Sequence, residues 1–228
     1  RLGGDMLLDR DQGMVDRISM MEGYTPLALA RIFPPARDWG QTCDLLNAKY
    51  RISVDKRNQS MGLESSTTYL PRAYMVYRAK VIRTESEVKS FMAGREFDPS
   101  RMAVFEEDPE GLPRDTAYGQ GWTAAITSYG LNEISLNVTS PKDGFLVLSE
   151  IFYPGWQASV DGKSKPIYRA DWNLRAIPVA GGSHQVEFRF DPRSFHDGLW
   201  VTSSALFLSG AGLGVSSMLE RRKRARVE

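Results

Sequence analysis

Three acidic residues lie close in sequence to several aromatic residues, and this combination is the strongest candidate for chemistry in the chain. The acids are Glu150, Asp161 and Asp171, and the aromatic residues are Tyr153, Trp156, Tyr168 and Trp172. Paired carboxylates cleave glycosidic bonds, and aromatic rings provide flat surfaces for sugar rings. The cluster therefore suggests a sugar-binding surface, with Tyr153, Trp156 and Trp172 as glycan contacts, or a hydrolytic site.

Structural roles account for the same residues more simply. Asp161 precedes Gly162 in a pattern that is typical of a tight hairpin turn. Trp156 suits a core position, and Glu150 suits a hydrogen bond at the end of a strand. The sequence also has no nucleophile elbow, zinc-protease, dinucleotide-binding or P-loop motif. We therefore predict no catalytic residues, and we keep glycan contact only as an alternative.

The cysteine and histidine content argues against metal and disulfide chemistry. Cys43 is the single cysteine, so the chain has no internal disulfide framework, and only His184 and His196 could join it as nitrogen ligands. Zinc sites usually need three or four such ligands. We predict no metal and no cofactor, and we expect Cys43 to be a small buried residue.

An uncharged segment near the C-terminus is a candidate membrane span, and it determines where the rest of the chain lies. Residues 198–219 contain no Asp, Glu, Lys, Arg, His or Pro. A helix of this length spans about 30 Å, the thickness of a bilayer core. Because six Ser and Thr residues lower its hydrophobicity, a buried core helix is the alternative. We favour a membrane span.

The flanks of this segment support the span and orient it. A basic cluster follows it directly, formed by Arg221, Arg222, Lys223 and Arg224, and Trp200 lies at its other boundary. Basic residues favour the cytoplasmic side, and indole rings favour the lipid–water interface. We therefore expect a cytoplasmic C-terminus and an extracytoplasmic N-terminal part, and hence a signal or further spans upstream. Without residues 221–228 the chain has 24 basic and 27 acidic residues, so we predict no nucleic-acid partner.

Small residues form one stripe along the predicted span. Ser203, Gly210, Gly214 and Ser217 recur at spacings of seven, four and three, and the two glycines form a G-x-x-x-G pair. Such stripes allow close packing between helices in a bilayer, although the pair also occurs by chance. We predict that the stripe packs against other integral membrane subunits.

The fold class predicted for the chain is α+β. Residues 1–118 are expected to form a small α+β module, 119–197 an antiparallel β-sandwich, 198–219 a transmembrane helix and 220–228 a basic tail. Within the module we predict a helix that begins at Thr25, a second helix near residues 38–48, a half-buried strand through Tyr50, Ile52 and Val54, and a polar loop over residues 55–68. Thr84 and Glu87 form a capping-box pattern before a third helix. In the sandwich, residues 145–151 form a continuous apolar strand.

Several motifs resemble one bacterial family. The run LSEIFYPGW at residues 148–156, VDG at 160–162 and PVAGGSHQVEF at 178–188 resemble the C-terminal part of YfhO-like membrane proteins, which are related to lipid-linked-sugar glycosyltransferases. The segments GYTPL at 23–27, LLNAKY at 45–50 and LPRAY at 70–74 fit the same resemblance. It implies an extracytoplasmic β-rich domain before a final span in the bacterial inner membrane. Sugar transfer in such enzymes belongs to a polytopic N-terminal part, so no catalytic residue is carried over.

Two hypotheses follow. The favoured one is a non-catalytic, single-pass subunit whose exported domain braces a larger membrane complex of respiratory, photosynthetic or transport type. The alternative is the acceptor-binding or glycan-binding C-terminal part of a glycosyltransferase that acts on cell-surface polymers. The predicted partners are integral membrane proteins and the lipid bilayer, with carbohydrate as a partner under the second hypothesis.

Overall fold

A computed structural model describes residues 31, 33–55, 57–58, 60–109 and 120–224. The predicted helix at Thr25 lies outside these residues. The described part contains three helices, α1 (Trp39–Leu45), α2 (Glu85–Met92) and α3 (Arg193–Arg224). Its strands are β1 (Tyr50–Asp55), β2 (Ser60–Ser65), β3 (Ala73–Val76), β4 (Arg78–Val81), β5 (Met102–Phe105), β6 (Thr123–Tyr129), β7 (Glu133–Ser140), β8 (Gly144–Ile151), β9 (Trp156–Val160), β10 (Lys163–Lys165), β11 (Tyr168–Ala170), β12 (Leu174–Val179) and β13 (Gly182–Phe190).

A five-stranded antiparallel sheet forms one layer, in the order β10-β9-β13-β7-β6. Its central strands alternate, so that Ile134, Leu136 and Val138 of β7 are buried while the residues between them are more exposed. The β9–β10 hairpin turns at Asp161 and Gly162, both with positive φ, as a type I′ turn requires. The predicted tight turn is therefore present.

A six-stranded mixed sheet forms the second layer, in the order β3-β8-β12-β11-β5-β4, with β4 and β5 parallel. Its two edge strands, β3 and β4, are separated in sequence by the single residue Tyr77. Six strands at about 4.8 Å spacing would be too wide for one residue to bridge if the sheet were flat. The sheet therefore curls until its edges approach each other.

Two hydrophobic clusters lie on the two faces of this curled sheet. One fills the space between the sheets and includes Leu146, Ile177, Leu136 and Phe188. The other lies on the opposite face and includes Tyr74, Phe105 and Phe145, with Val88 and Met92 of α2 against them. Because β8 contributes to both clusters, its apolar residues are continuous rather than alternating, as predicted.

The N-termini of the two short helices differ in their capping. The Asp38 carboxylate accepts from the Gln41 backbone N–H at 2.8 Å and starts α1. Thr84 is the N-cap of α2, and its hydroxyl donates to the Glu87 carboxylate at 2.7 Å. The capping-box residues are thus paired, but through their side chains and not through the Thr84 side chain and a backbone N–H. Cys43 in α1 is buried, as expected.

Two predictions for residues 50–68 are wrong. The expected polar loop contains strand β2, which pairs with β1. The apolar residues of β1 are not half-buried, because Tyr50 and Ile52 are both more than half exposed. The alternation predicts a half-buried strand, but β1 and β2 form a separate two-stranded sheet outside both layers.

The predicted α+β class is confirmed. Strands β3 to β5, which precede residue 118, share the six-stranded sheet with β8, β11 and β12, which follow it. The sheets thus connect both sides of the proposed domain division, which stays a prediction. Helix α3 leaves the end of β13 and is exposed along residues 195–218.

Candidate functional site

Helix α3 leaves the sandwich at a rigid corner, which we call the helix-proximal end. Phe190, the last residue of β13, donates its N–H to the Asn132 carbonyl at 2.8 Å, and Asp191 donates to the Gly155 carbonyl at 2.8 Å. The Phe190 ring packs against Trp156 with a centroid distance of 5.4 Å. The helix therefore begins without a flexible linker.

An open groove of about 390 Å³ lies at this end. It is lined by Leu131, Asn132, Glu150, Ile151, Tyr153, Trp156, Arg175 and Phe190. Its wall combines aromatic rings with one amide, one carboxylate and one guanidinium. This composition suits a ligand that has both an apolar face and hydroxyl groups, such as a sugar ring.

A charged cluster forms the floor of the groove around Glu150. The register of β8 against β12 shifts where Ile151 pairs with Leu174 and Leu148 pairs with Arg175, which leaves Ser149 and Glu150 as extra residues in β8. Such bulges re-aim side chains. The Glu150 carboxylate accepts from the Tyr129 hydroxyl at 2.6 Å.

Two arginines complete the cluster. Arg72 Nη1 lies 3.5 Å and Arg175 Nη2 lies 3.6 Å from the Glu150 carboxylate. Arg175 is only 3% exposed in its side chain, and its Nε and Nη1 have no hydrogen-bond partner among the residues that the structure describes. Burial lowers the pKa of Arg175 to about 10, so it stays charged at neutral pH. Burial, followed by the hydrogen bond to Glu150, raises the pKa of Tyr129 to about 12.

The structure brings together only part of the predicted carboxylate–aromatic cluster. Glu150, Tyr153 and Trp156 share the groove. Asp161 lies in the β9–β10 turn, where its carboxylate contacts His184 Nδ1 at 2.7 Å, and this contact chiefly lowers the pKa of Asp161. Since Glu150 is the one carboxylate among the described residues that line the groove, these residues do not assemble the pair that glycoside cleavage needs.

The remaining predicted residues lie elsewhere. Asp171 is fully buried in the turn between β11 and β12, where its carboxylate accepts from the Val104 N–H at 2.8 Å. Burial raises the pKa of Asp171 to about 7. Trp172 is buried beside it, with Arg31 and Lys89 over its ring, and is not among the residues that line the groove. Its proposed glycan contact has no support from this position.

Sequence reasoning missed Arg72, Arg175 and Tyr129, which surround Glu150. One signal was available, because Arg175 interrupts an otherwise apolar strand, Leu174–Val179. A charged residue in such a strand is rarely buried unless it is paired. Among the described residues, no group of His, Cys, Asp and Glu side chains is arranged to hold a metal ion.

The residues predicted to contact lipid or partners all lie on or after α3. Ser203, Gly210, Gly214 and Ser217 are exposed, and Trp200 is exposed as well. A Cβ added at Gly210 or Gly214 would meet open space. The helical backbone continues through Arg221, Arg222, Lys223 and Arg224. In the described part of the chain, one helix is long and apolar enough to cross a membrane, over Arg193–Met218.

A β-sandwich that leads directly into an exposed helix long and apolar enough to cross a bilayer is typical of a membrane protein. The family described as "Bacterial membrane protein YfhO" matches residues 87–202, just over half of the 228 residues. The chain belongs to this family, and it is a membrane protein. No curated protein and no solved structure matches it.

Proposed function

We propose that this chain is a non-catalytic extracytoplasmic domain that α3 anchors in the bacterial inner membrane, where it packs against and braces a larger membrane assembly. The observation that carries the proposal is the exposure of the apolar surface of α3. The helix is exposed from residue 195 to residue 218, although it is apolar and extends directly from a rigid corner of the sandwich. In water this surface would be unfavourable, so we expect lipid or other membrane helices to cover α3.

The small-residue stripe supports packing against a protein rather than lipid alone. Ser203, Gly210, Gly214 and Ser217 share one face, because their spacings are close to whole turns of a helix. Gly212 lies about 200° around the helix from Gly210 and so faces away from the stripe. The proposed orientation, with the C-terminus in the cytoplasm, follows from the basic residues after position 220.

The test compares glycines on the two faces of α3. The double variant Gly210→Leu with Gly214→Leu should reduce the apparent mass of the native complex in mild detergent, whereas Gly212→Leu should leave that mass unchanged. Blue native electrophoresis of bacterial membranes measures both. If the stripe variant migrates with the wild-type complex, or if both variants dissociate equally, the proposed packing face is wrong.

A second candidate function is glycan or acceptor binding at the groove, in line with the resemblance to glycosyltransferase-related proteins. Its specific support is that Glu150, Tyr153 and Trp156 meet in one open groove beside the start of α3. Tyr153 is more than half exposed, so Tyr153→Ala should preserve the fold. We expect this variant to weaken binding of a cell-surface oligosaccharide, whereas Tyr50→Ala, at a similarly exposed tyrosine outside the groove, should not. Equal binding by both variants would argue against a glycan site.

The intact mass of the native protein distinguishes an independent subunit from part of a longer protein. A mature chain close to 25.6 kDa would support an independent subunit. Several hundred additional apolar residues upstream would instead make the domain part of a longer glycosyltransferase-like protein.

A further inference from the structure

The β1–β2 hairpin has one apolar face and one polar face. On the first face Ile52 pairs with Leu63, Met61 lies two residues before Leu63, and Tyr50 extends the same face toward the base of the hairpin. On the second face Arg51 pairs with Glu64, and Asp55 pairs with Ser60. Side chains of a strand alternate between its faces, so the apolar residues form one continuous surface.

More than half of each measured side chain on this apolar surface is exposed. Tyr50, Ile52, Met61 and Leu63 are 57, 52, 54 and 70% exposed. A two-stranded hairpin is at best marginally stable in water without a layer against it. An exposed apolar surface of this kind marks a contact with lipid or with another protein.

The base of the hairpin is fixed at the helix-proximal end of the sandwich. The Asp44 carboxylate accepts from the hydroxyls of Ser66 and Thr68 at 2.8 and 2.6 Å, which fixes the chain just after β2. The neighbouring Leu45 carbonyl accepts from the Ser149 hydroxyl at 2.8 Å. Ser149 directly precedes Glu150 in the groove, so the hairpin emerges close to the corner where α3 begins.

The same end has other exposed apolar residues. Leu131, in the β6–β7 turn, is 97% exposed, and Ile151 and Tyr153 on the groove wall are also exposed. The carbonyl of Asn132, next to Leu131, accepts a hydrogen bond from the N–H of Phe190 just before α3. Exposed apolar residues therefore lie at the same end of the sandwich as the start of α3.

Charge and aromatic content favour a lipid surface as the occupant. Residues 49–66 contain four basic and two acidic side chains, whereas residues 1–220 as a whole have three more acids than bases. At the base of the hairpin, Lys49 Nζ lies over the rings of Tyr50 and Tyr69, 5.2 and 5.8 Å from their centroids. Lysine attracts anionic headgroups, and tyrosine rings favour the lipid–water interface.

We propose that the β1–β2 hairpin is a second membrane contact, which inserts the face formed by Tyr50, Ile52, Met61 and Leu63 among the lipid headgroups of the leaflet that α3 enters. The hairpin and α3 would then fix the sandwich at two points, so that it cannot rotate about α3. The groove, which lies between these two points, would face the bilayer surface. The inference uses the proposed function only for the position of α3 in the bilayer.

The test uses fluorophores at adjacent residues on opposite faces of β2. Leu63→Cys and Glu64→Cys, each labelled with an environment-sensitive nitrobenzoxadiazole, are reconstituted as full chains in liposomes that contain phosphatidylglycerol. Both positions are exposed, and the native Cys43 is buried. Leu206→Cys on α3 reports separately whether the helix is embedded.

We expect a nitroxide-labelled lipid to quench the label at position 63 several-fold more than the label at position 64, and aqueous iodide to do the reverse. If iodide reaches both positions equally while position 206 stays protected, the hairpin does not insert and the proposal is overturned. If position 63 is shielded from both quenchers, protein covers it and the lipid assignment is equally wrong. Iodide quenching at position 206 would instead contradict the membrane position of α3, and with it the proposed function.

Discussion

The guanidinium of Arg175 lies beneath the indole of Trp156, with Cζ 3.9 Å from the ring centroid. Trp156 thus stacks on a mostly buried cation at the groove, while Glu150 provides the opposite charge from β8. The aromatic residue that would contact a sugar is therefore also the cover of an ion pair. For this reason Trp156→Ala cannot test glycan binding alone, and the exposed Tyr153 is the better position.

Loss of Glu150 should cost more stability than loss of Arg175. Without its carboxylate, Glu150→Ala leaves Arg175 buried and uncompensated, and we expect it to lower the free energy of unfolding by about 2 kcal/mol, discounted because Glu150 is partly exposed. Arg175→Met fills the same space and leaves Glu150 with Arg72 and Tyr129, so it should cost about 1 kcal/mol or less.

Thermal unfolding of the full chain in detergent, followed by near-ultraviolet circular dichroism, measures both effects. Glu187→Ala, at an exposed position of β13, is the control for loss of a carboxylate and should have little effect. The prediction is that Glu150→Ala loses more stability than Arg175→Met. A larger loss for Arg175→Met would mean that the arginine is stabilising by itself.

Asp171 should make the fold less stable as the pH rises from about 4 to about 7. Its folded pKa is about 7, above the usual value near 3.9 for an unfolded chain, so the folded state binds the extra proton in this window. Below the window the carboxyl is protonated in both states, and above it the folded state must hold a buried charge. A shift of this size corresponds to about 4 kcal/mol.

Asp171→Asn should remove this pH dependence and stabilise the protein at neutral pH. The amide keeps an oxygen for the Val104 N–H, and asparagine tolerates the positive φ at this position. Asp161→Asn is the matched control, because Asp161 also has a positive φ but has a lowered pKa and an exposed carboxylate. Melting temperatures between pH 4 and 8 test the pair; if Asp171→Asn keeps the wild-type slope, another group is responsible.

Gly155 should be intolerant of a side chain because it holds the corner before α3. Its φ is +103°, and an added Cβ would lie 2.9 Å from Pro192 Cβ and 3.0 Å from Phe190 Cε2. We expect Gly155→Ala to destabilise the fold by about 2–4 kcal/mol through strain and overpacking. Gly162→Ala has a positive φ but open space, so it should cost about 1 kcal/mol. Equal losses in thermal melting would show that the contacts with Phe190 and Pro192 do not matter.

Local patterns predicted those elements whose environment is also local. The apolar run of β8, the Asp161–Gly162 turn and the start of α2 at Thr84 could each be recognised from a few neighbouring residues. The site could not, because Glu150 meets Arg72 and Arg175 only through the pairing of β8 with β3 and β12. The register shift that directs Glu150 toward Arg175 has no signature within β8 alone.

The β1–β2 hairpin shows that a local pattern can identify a strand without showing what covers it. The alternation of Tyr50, Ile52 and Val54 correctly indicated a strand, but alternation reports only that one face avoids water. It does not distinguish a protein layer from a lipid surface. The polar composition of residues 55–68 concealed β2, since Met61 and Leu63 are its only large apolar residues.

The basic residues at the C-terminal end of α3 and just beyond it should determine the orientation of the protein. Replacing Arg221, Arg222, Lys223, Arg224 and Arg226 with serine removes the charges that favour the cytoplasmic side, so a fraction of the chains should insert with the sandwich inside. A cysteine at the exposed Ser164 reports the side, through labelling of intact cells with a membrane-impermeant maleimide. Lysine at all five positions keeps the charge and should preserve full labelling.

Because Asp and Glu contribute little to this bias, the acidic excess of the sandwich should not rescue the serine variant. If the serine variant is labelled as completely as the lysine variant, the orientation is set by the folded domain or by upstream sequence, and the charge argument for a cytoplasmic C-terminus fails.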